Sequence, residues 1–321
     1  MDMNKTWPSL DRYQIAVQSP QNFFRDPRLK DSVVERRGIF PTTRSGNFGS
    51  VYKFTESYGR SWAVKVFIKA IAQRQSRYEM ISKESGLTKV KQMLWFEYQP
   101  EGILVDGQWY PLLLMEWGAG DTLIDFCRQR FEERQTEVDN AALSTNWIRL
   151  MHDLETIGVA HGDLQHGNIL VTEGGEMTLV DYDGMYVPAM QGEKALELGV
   201  PAYQHPQRND DFFNARLDDF SAMAILVQLM SVNRKLWQTY HKDDGHLLLT
   251  QEDIQNPDAS PLFKELLASS NLLVRGMTES LVLACKSDIR FVPKFSQVLK
   301  QIKSMKRSEE RRVGKECRSR W

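Results

Sequence analysis

Two neighbouring stretches of sequence decide the fold: His161-Gly162-Asp163-Leu164-Gln165-His166-Gly167-Asn168-Ile169-Leu170-Val171 and, after a short interval, Asp181-Tyr182-Asp183-Gly184. Asp163 and Asn168 lie on a predicted loop before one strand, and Asp181 ends the next. One carboxylate can orient an attacking hydroxyl, while an amide and a second carboxylate can hold magnesium against phosphates. Each residue alone would be read as a turn former or strand-end cap, but the ordered set favours phosphoryl transfer.

A second signal lies upstream, where Gly46-Asn47-Phe48-Gly49-Ser50-Val51 separates two predicted strands. Glycines let a backbone approach phosphate closely. Lys65 follows on the apolar strand Trp62–Phe67. A buried ammonium needs a partner, so Lys65 is predicted to pair with phosphates, although it could also be an edge residue reaching solvent.

Strand and helix signals are unevenly distributed along the chain. Residues 11–30 indicate a short polar helix, and residues 70–85 are compatible with another helix. Otherwise strand patterns dominate up to Gly118–Gly120, and apolar spacings typical of helices dominate after that point. The sequence therefore predicts an α+β protein with two unequal lobes.

Composition excludes several classes of protein. The 321 residues are 41% hydrophobic and 26% charged, with a formal net charge of −1, which is globular and gives no sign of nucleic-acid binding. Three scattered cysteines (Cys127, Cys285 and Cys317) fit a reducing compartment. The longest apolar run, near residues 222–232, is too short to span a bilayer and reads as a buried helix. We therefore expect a cytoplasmic protein without a membrane span.

Together these motifs resemble the protein-kinase-like superfamily, over residues 35–304. The resemblance implies a bilobal fold with a small β-rich N-lobe (35–117) and a larger helical C-lobe (118–304), preceded by an extension (1–34). The HGD loop and the pattern HGDLQHGN…DYDGM are similar to bacterial kinase-like proteins. The resemblance also implies ATP and Mg²⁺ as cofactors and the Ser or Thr hydroxyl of a protein as the phosphoryl acceptor.

The resemblance assigns catalytic roles residue by residue. Asp163 falls on the catalytic base, and Lys65 on the ATP-binding lysine. Asn168 and Asp181 fall on the magnesium ligands. Glu79 is expected to pair with Lys65, with Glu84 as the alternative. The residues implied to bind nucleotide are Gly46, Gly49, Val51, Lys65, Met115, Glu116, Gly118 and Asp121. For Asp121, an N-cap of the following helix is an equally good interpretation.

Several residues depart from the family pattern. Gly162 replaces the arginine that reads a phosphorylated activation segment in relatives, so switching by that route is not expected. Gln165 replaces a lysine near the base, and Asp183 replaces the DFG glycine and adds a third candidate metal ligand. Gln207 stands where relatives have the glutamate that pairs with a late arginine, here Arg290.

Two other functions stay open at this point. The HGD-x-x-x-x-N pattern also occurs in aminoglycoside and choline phosphotransferases, so a small-molecule acceptor is an alternative. A nucleotide-binding pseudokinase without turnover is another. Residues 305–321 resemble translated vector sequence, which would mean that a C-terminal partner domain is missing.

Overall fold

The computed structural model describes residues 7–46, 49–71 and 73–304. The chain divides into two compact units after Gly118. Strands dominate the first unit and helices the second. The predicted α+β class, with a β-rich N-terminal part and a helical C-terminal part, is confirmed. The tail 305–321, with Cys317, lies outside the described residues.

The N-terminal unit is built on an antiparallel sheet with the strand order β1-β5-β6-β8-β7, and β4 pairs with β5. Three short helices precede the sheet, and a fourth lies between β6 and β7. The helices are α1 (Leu10–Val17), α2 (Pro20–Phe23), α3 (Pro27–Lys30) and α4 (Arg74–Lys83). The strands are β1 (Ser32–Val34), β2 (Arg36–Arg37), β3 (Phe40–Pro41), β4 (Thr43–Ser45), β5 (Gly49–Glu56), β6 (Ser61–Phe67), β7 (Phe96–Val105) and β8 (Gln108–Glu116).

The two faces of this sheet differ because side chains alternate along each strand. One face forms a hydrophobic cluster in which Tyr52, Val64 and Leu114 are fully buried. Helix α1 covers this cluster, and the hydroxyl of Tyr13 donates a hydrogen bond to the Phe67 carbonyl at 2.8 Å. The opposite face is therefore the one left for polar function.

The C-terminal unit begins with a small three-stranded sheet in the order β11-β10-β9 and continues with helices. Its strands are β9 (Asp121–Thr122), β10 (Ile169–Val171) and β11 (Met177–Leu179). Its helices are α5 (Leu123–Arg128), α6 (Asn140–Ile157), α7 (Asp219–Ser231), α8 (Arg234–Tyr240), α9 (Gln251–Gln255), α10 (Pro261–Leu267) and α11 (Leu272–Lys286), with further helical backbone over 295–304. Helix α5 is followed directly by a π-helical turn at Gln129–Glu133.

Helix α7 is the buried helix that the apolar run predicts. Its residues from Phe220 to Leu229 are all buried. The one strongly polar side chain among them, Gln228, is satisfied: its Oε1 accepts the backbone N–H groups of Leu248 and Leu249. Over residues 7–46, 49–71 and 73–304, no helix is both long and apolar enough to cross a membrane.

Candidate active site

The loop 161–168 of the C-terminal unit is anchored from beneath by one buried carboxylate. The backbone N–H of His161 donates to Asp218 Oδ2 at 2.5 Å, and that of Gly162 donates to Oδ1 at 2.9 Å. Burial raises the pKa of Asp218, while His161 and the two N–H groups oppose that rise. Asp218 lies just before α7, the most buried helix of the unit. Its hydrogen bonds therefore fix the position of the loop relative to this helix.

Gly162 occupies a position that only glycine fits. Its φ is +81°, and an added Cβ would lie 2.0 Å from the carbonyl oxygen of Gly184. The neighbouring backbone pairs across the same gap, where Ala160 and Tyr186 exchange hydrogen bonds of 3.1 and 2.8 Å. An arginine at this position would collide with the segment after Asp181. Steric exclusion therefore explains why this chain has Gly162 where relatives have arginine.

Asp163 lies on this loop with both carboxylate oxygens hydrogen-bonded. Oδ1 accepts the backbone N–H of Val200 at 3.1 Å. Oδ2 accepts the side-chain amide of Asn168 at 2.9 Å, and the same Nδ2 also donates to the Asp163 carbonyl at 2.9 Å. Gln165 Nε2 lies 3.4 Å from Oδ2. The predicted base and the predicted metal-binding amide are therefore in direct contact.

Backbone pairing brings Asp181 beside Asn168. Strands β10 and β11 pair with Ile169 opposite Leu179. The ladder extends one residue further, because Val180 N–H donates to the Asn168 carbonyl at 3.0 Å. The His161 ring donates from Nε2 to the Val180 carbonyl at 3.0 Å. Asp181 follows with a φ of +66°, a strained conformation of the kind found at functional sites.

The donor set at this point fits magnesium. Asn168 uses its Nδ2 toward Asp163, so its amide oxygen is the atom that would bind a metal ion, and Asp181 would add a carboxylate. Mg²⁺ prefers such oxygen ligands and commonly takes only one or two from the protein, completing its shell with water and substrate phosphates. The described residues contain no group of three or more His, Cys, Asp or Glu side chains that could hold a metal ion. A metal-binding role for Asp183 stays a prediction.

His166 is buried, although it lies on a polar loop where a histidine is usually solvated. Its ring is 5% exposed. Nε2 donates to the Asp244 carbonyl, so Nδ1 of the neutral ring accepts from the Tyr203 hydroxyl at 2.6 Å, and that hydroxyl also accepts the N–H of Leu247. Burial lowers the pKa of His166 to about 4. The ring is therefore a neutral bridge between the loop and two distant segments, which sequence spacing alone could not reveal.

In the N-terminal unit, three predicted nucleotide-binding residues share the sheet face opposite the hydrophobic cluster. Val51 on β5 is directly opposite Lys65 on β6, and Ala63, two residues from Lys65, is opposite Met115 on β8. Lys65 is 9% exposed.

Gly49 approaches β6 so closely that an added Cβ would lie 2.1 Å from the Val66 carbonyl oxygen. Gly46 N–H closes the turn by donating to the Gly49 carbonyl, and Asn47 and Phe48 are outside the described residues.

Glu79 is not brought to Lys65. The buried residues of α4 are Arg74, Arg77, Tyr78 and Ile81. Glu79 is exposed, and its carboxylate accepts a hydrogen bond from Gln75 one turn earlier at 3.0 Å. The alternative, Glu84, ends the helix and accepts the Gly86 N–H. Helical periodicity places Glu79 away from the buried face, so a pairing with Lys65 stays a prediction that this arrangement does not support.

The backbone at the predicted nucleotide-binding residue Glu116 and at Trp117 already forms hydrogen bonds within the N-terminal unit. The N–H of Glu116 donates to the Trp95 carbonyl and that of Trp117 to the Ser61 carbonyl, at 3.0 and 3.2 Å. An adenine edge would therefore have to use other backbone groups, such as those of Gly118.

In the C-terminal unit, Thr122 and not Asp121 caps helix α5. Asp121 instead accepts from Gln129 Nε2 at 3.1 Å, so its N-cap interpretation is wrong.

Gln207 and Arg290 do not pair with each other, as the substitution of the glutamate by Gln207 predicts. Gln207 Oε1 accepts the backbone N–H of Ile289 at 3.1 Å. Arg290 instead forms an ion pair with Asp288 at 2.7 Å. An amide-to-backbone hydrogen bond thus holds the end of the segment where relatives use a salt bridge.

The chain is similar in sequence to known protein kinases. A family model described as protein tyrosine and serine/threonine kinase matches residues 42–195, just under half of the chain. Citron rho-interacting kinase from Rattus norvegicus is 22% identical over 60% of this chain and 10% of its own length. Serine/threonine-protein kinase pakG from Dictyostelium discoideum is 26% identical over 51% of this chain and 13% of its own. Serine/threonine-protein kinase chk1 from Schizosaccharomyces pombe is 24% identical over 46% and 30%.

The chain therefore spans only about a tenth of the length of the first of these relatives. The matches support the protein-kinase-like superfamily and, with the two units described above, a protein-kinase-like α+β fold.

Proposed function

We propose that this chain transfers the γ-phosphoryl group of ATP to a Ser or Thr hydroxyl of a protein substrate, assisted by Mg²⁺. The observation that carries the proposal is the hydrogen bond between Asp163 Oδ2 and Asn168 Nδ2, next to the backbone pair that seats Asp181. This constellation joins a candidate base to two candidate metal ligands within one short hairpin.

Asp163 orients the acceptor hydroxyl and takes its proton as the hydroxyl oxygen bonds to phosphorus and the bond to the departing ADP oxygen breaks. Val200 N–H and Asn168 hold the carboxylate in place for that step. Asn168 and Asp181 would hold Mg²⁺, which neutralises phosphate charge when bound. Lys65 would pair with the phosphates. Gln165 in place of a lysine leaves less positive charge near the acceptor.

The test measures transfer of labelled γ-phosphate from ATP by the whole chain. Asp163→Asn and Asp181→Asn are each expected to lower the rate by roughly 10²-fold or more. Asp258→Asn is the matched control, because Asp258 is an exposed carboxylate paired with Lys286. It should leave the rate unchanged.

The destination of the label separates the functions. Label on Ser or Thr of the chain itself or of an added protein, lost in both active-site variants, supports the proposal. Label on an added hydroxylated metabolite alone would identify a small-molecule phosphotransferase. Magnesium-dependent nucleotide binding with no transfer would identify a pseudokinase.

We also keep a reducing, cytoplasmic location as a proposal. The two cysteines in the described part of the chain, Cys127 and Cys285, are free and buried. Burial raises the pKa of each thiol to about 12, so neither is an activated nucleophile.

A further inference from the structure

A buried amide that belongs to none of the predicted motif roles lies beside the candidate base. Gln204 is 6% exposed, and its Nε2 is fully buried without a hydrogen-bond partner in the described part of the chain. An orphaned buried donor costs free energy, so a position that keeps one calls for a physical explanation.

Gly199 shows what this amide faces. The backbone of Gly199 has a φ of +74°, and an added Cβ would lie 2.6 Å from Gln204 Nε2 and 2.8 Å from Asp163 Oδ1. The two atoms therefore flank the same point in space. The next residue, Val200, already donates its N–H to that same Oδ1 at 3.1 Å.

Gln204 is well placed to stay there. Its backbone N–H donates to the Pro201 carbonyl at 3.3 Å in the single turn Pro201–Tyr203. The adjacent Tyr203 is held by His166, and its carbonyl accepts from the Ser221 hydroxyl at 2.7 Å. The segment that carries Gln204 is thus tied both to the loop of Asp163 and to helix α7.

On the basis of the proposed function, we propose that Gln204 is a positioning residue for Asp163. Its buried amide lies beside Oδ1, which the Val200 N–H already binds, and it limits rotation of the carboxylate so that Asp163 stays turned toward the acceptor hydroxyl.

The test uses Gln204→Met, which keeps side-chain length and removes the donor. Gln207→Met is the matched control, because Gln207 lies in the same segment but contacts Ile289. In initial-rate measurements, Gln204→Met should lower kcat by about tenfold, with KM for ATP unchanged. Gln207→Met should not lower it.

A second measurement does not depend on activity. In thermal unfolding, the effects of Gln204→Met and Asp163→Asn on Tm should be non-additive by about 2 °C, whereas those of Gln207→Met and Asp163→Asn should add. Gln204→Glu should lower Tm through like-charge repulsion, and Asp163→Asn should partly restore it. This variant decides the matter if Gln204→Met does not fold.

The outcomes are distinguishable. If the unaltered chain transfers no phosphate, the proposed function fails, and the unfolding cycle alone decides the role of Gln204. Additive Tm changes for Gln204 and Asp163, with no restoration in the Gln204→Glu background, would overturn the inference.

Discussion

The loop 161–168 and helix α4 both carry residues to which the sequence assigns a catalytic role, but the structure treats them differently. In the loop, Asp163 and Asn168 bond each other, and Asp218 holds the backbone. On α4, Glu79 is exposed, and its carboxylate accepts a hydrogen bond from Gln75 of the same helix. A motif whose polar groups satisfy one another folds as its spacing predicts, whereas the role of a single helical residue depends on which side of the helix packs.

The largest effect should come from breaking the loop at Gly162. Gly162→Ala places a Cβ against the Gly184 carbonyl oxygen and enforces an unfavourable φ. We expect a loss of roughly 3 kcal/mol or more in unfolding free energy. Urea titration measures it. Gly174→Ala is the control, since the nearest atom to its added Cβ is 3.8 Å away, and equal losses in the two variants would contradict the steric argument.

Protonation of His166 should also weaken the loop. Its pKa falls from the ordinary 6.5 to about 4 on folding, so the neutral ring stabilises the folded state above pH 6.5, and that stability is lost as the pH falls toward 4. His166→Asn should remove about 3 kcal/mol of this pH dependence. Unfolding free energies between pH 8 and pH 4 test it. His152→Asn, an exposed histidine, should follow the unaltered chain; if His166→Asn does so too, the bridge is not stabilising.

The contrast between the two regions predicts a small effect at α4. Lys65→Met should lower kcat/KM for ATP by about tenfold or more. Glu79→Gln should change it by less than about twofold, because the Glu79 side chain is solvated. Steady-state kinetics at varied ATP distinguish these cases. A loss at Glu79 as large as that at Lys65 would mean that α4 turns Glu79 inward in the active protein.

We expect no effect on the transfer rate from removing any phosphate that is covalently attached to residues 181–207. Residues 181–207 contain no Ser or Thr, and the tyrosines 182, 186 and 203 are all buried. Tyr182 donates its hydroxyl to the Leu179 carbonyl, and Tyr203 is bonded to His166. Phosphatase treatment should therefore leave the transfer rate unchanged. A fall in rate, with phosphate mapped to one of these tyrosines by mass spectrometry, would contradict this.

Much of the fold could be predicted because it depends on local patterns. The turn at Asp106-Gly107, strand Ile169–Val171 and the buried helix after Asp218 follow from residue type and spacing. Errors arose where long-range packing decides. His166 looks polar in sequence yet is buried by Tyr203 and the 244–247 segment. Asp121 precedes a helix yet does not cap it, because Thr122 is one residue closer.

The sequence by itself determined the α+β class and the set of chemical groups: the carboxylates, amide, lysine and glycines of the motifs carry their chemistry wherever they lie. Only the tertiary structure decided which groups meet. It brings the Val200 N–H and the Gln204 amide to Asp163 and exposes Glu79 to solvent. It also places the Gly184 carbonyl so close to residue 162 that only glycine fits there. Contacts between residues distant in sequence depend on packing of the whole unit, and no local spacing encodes them.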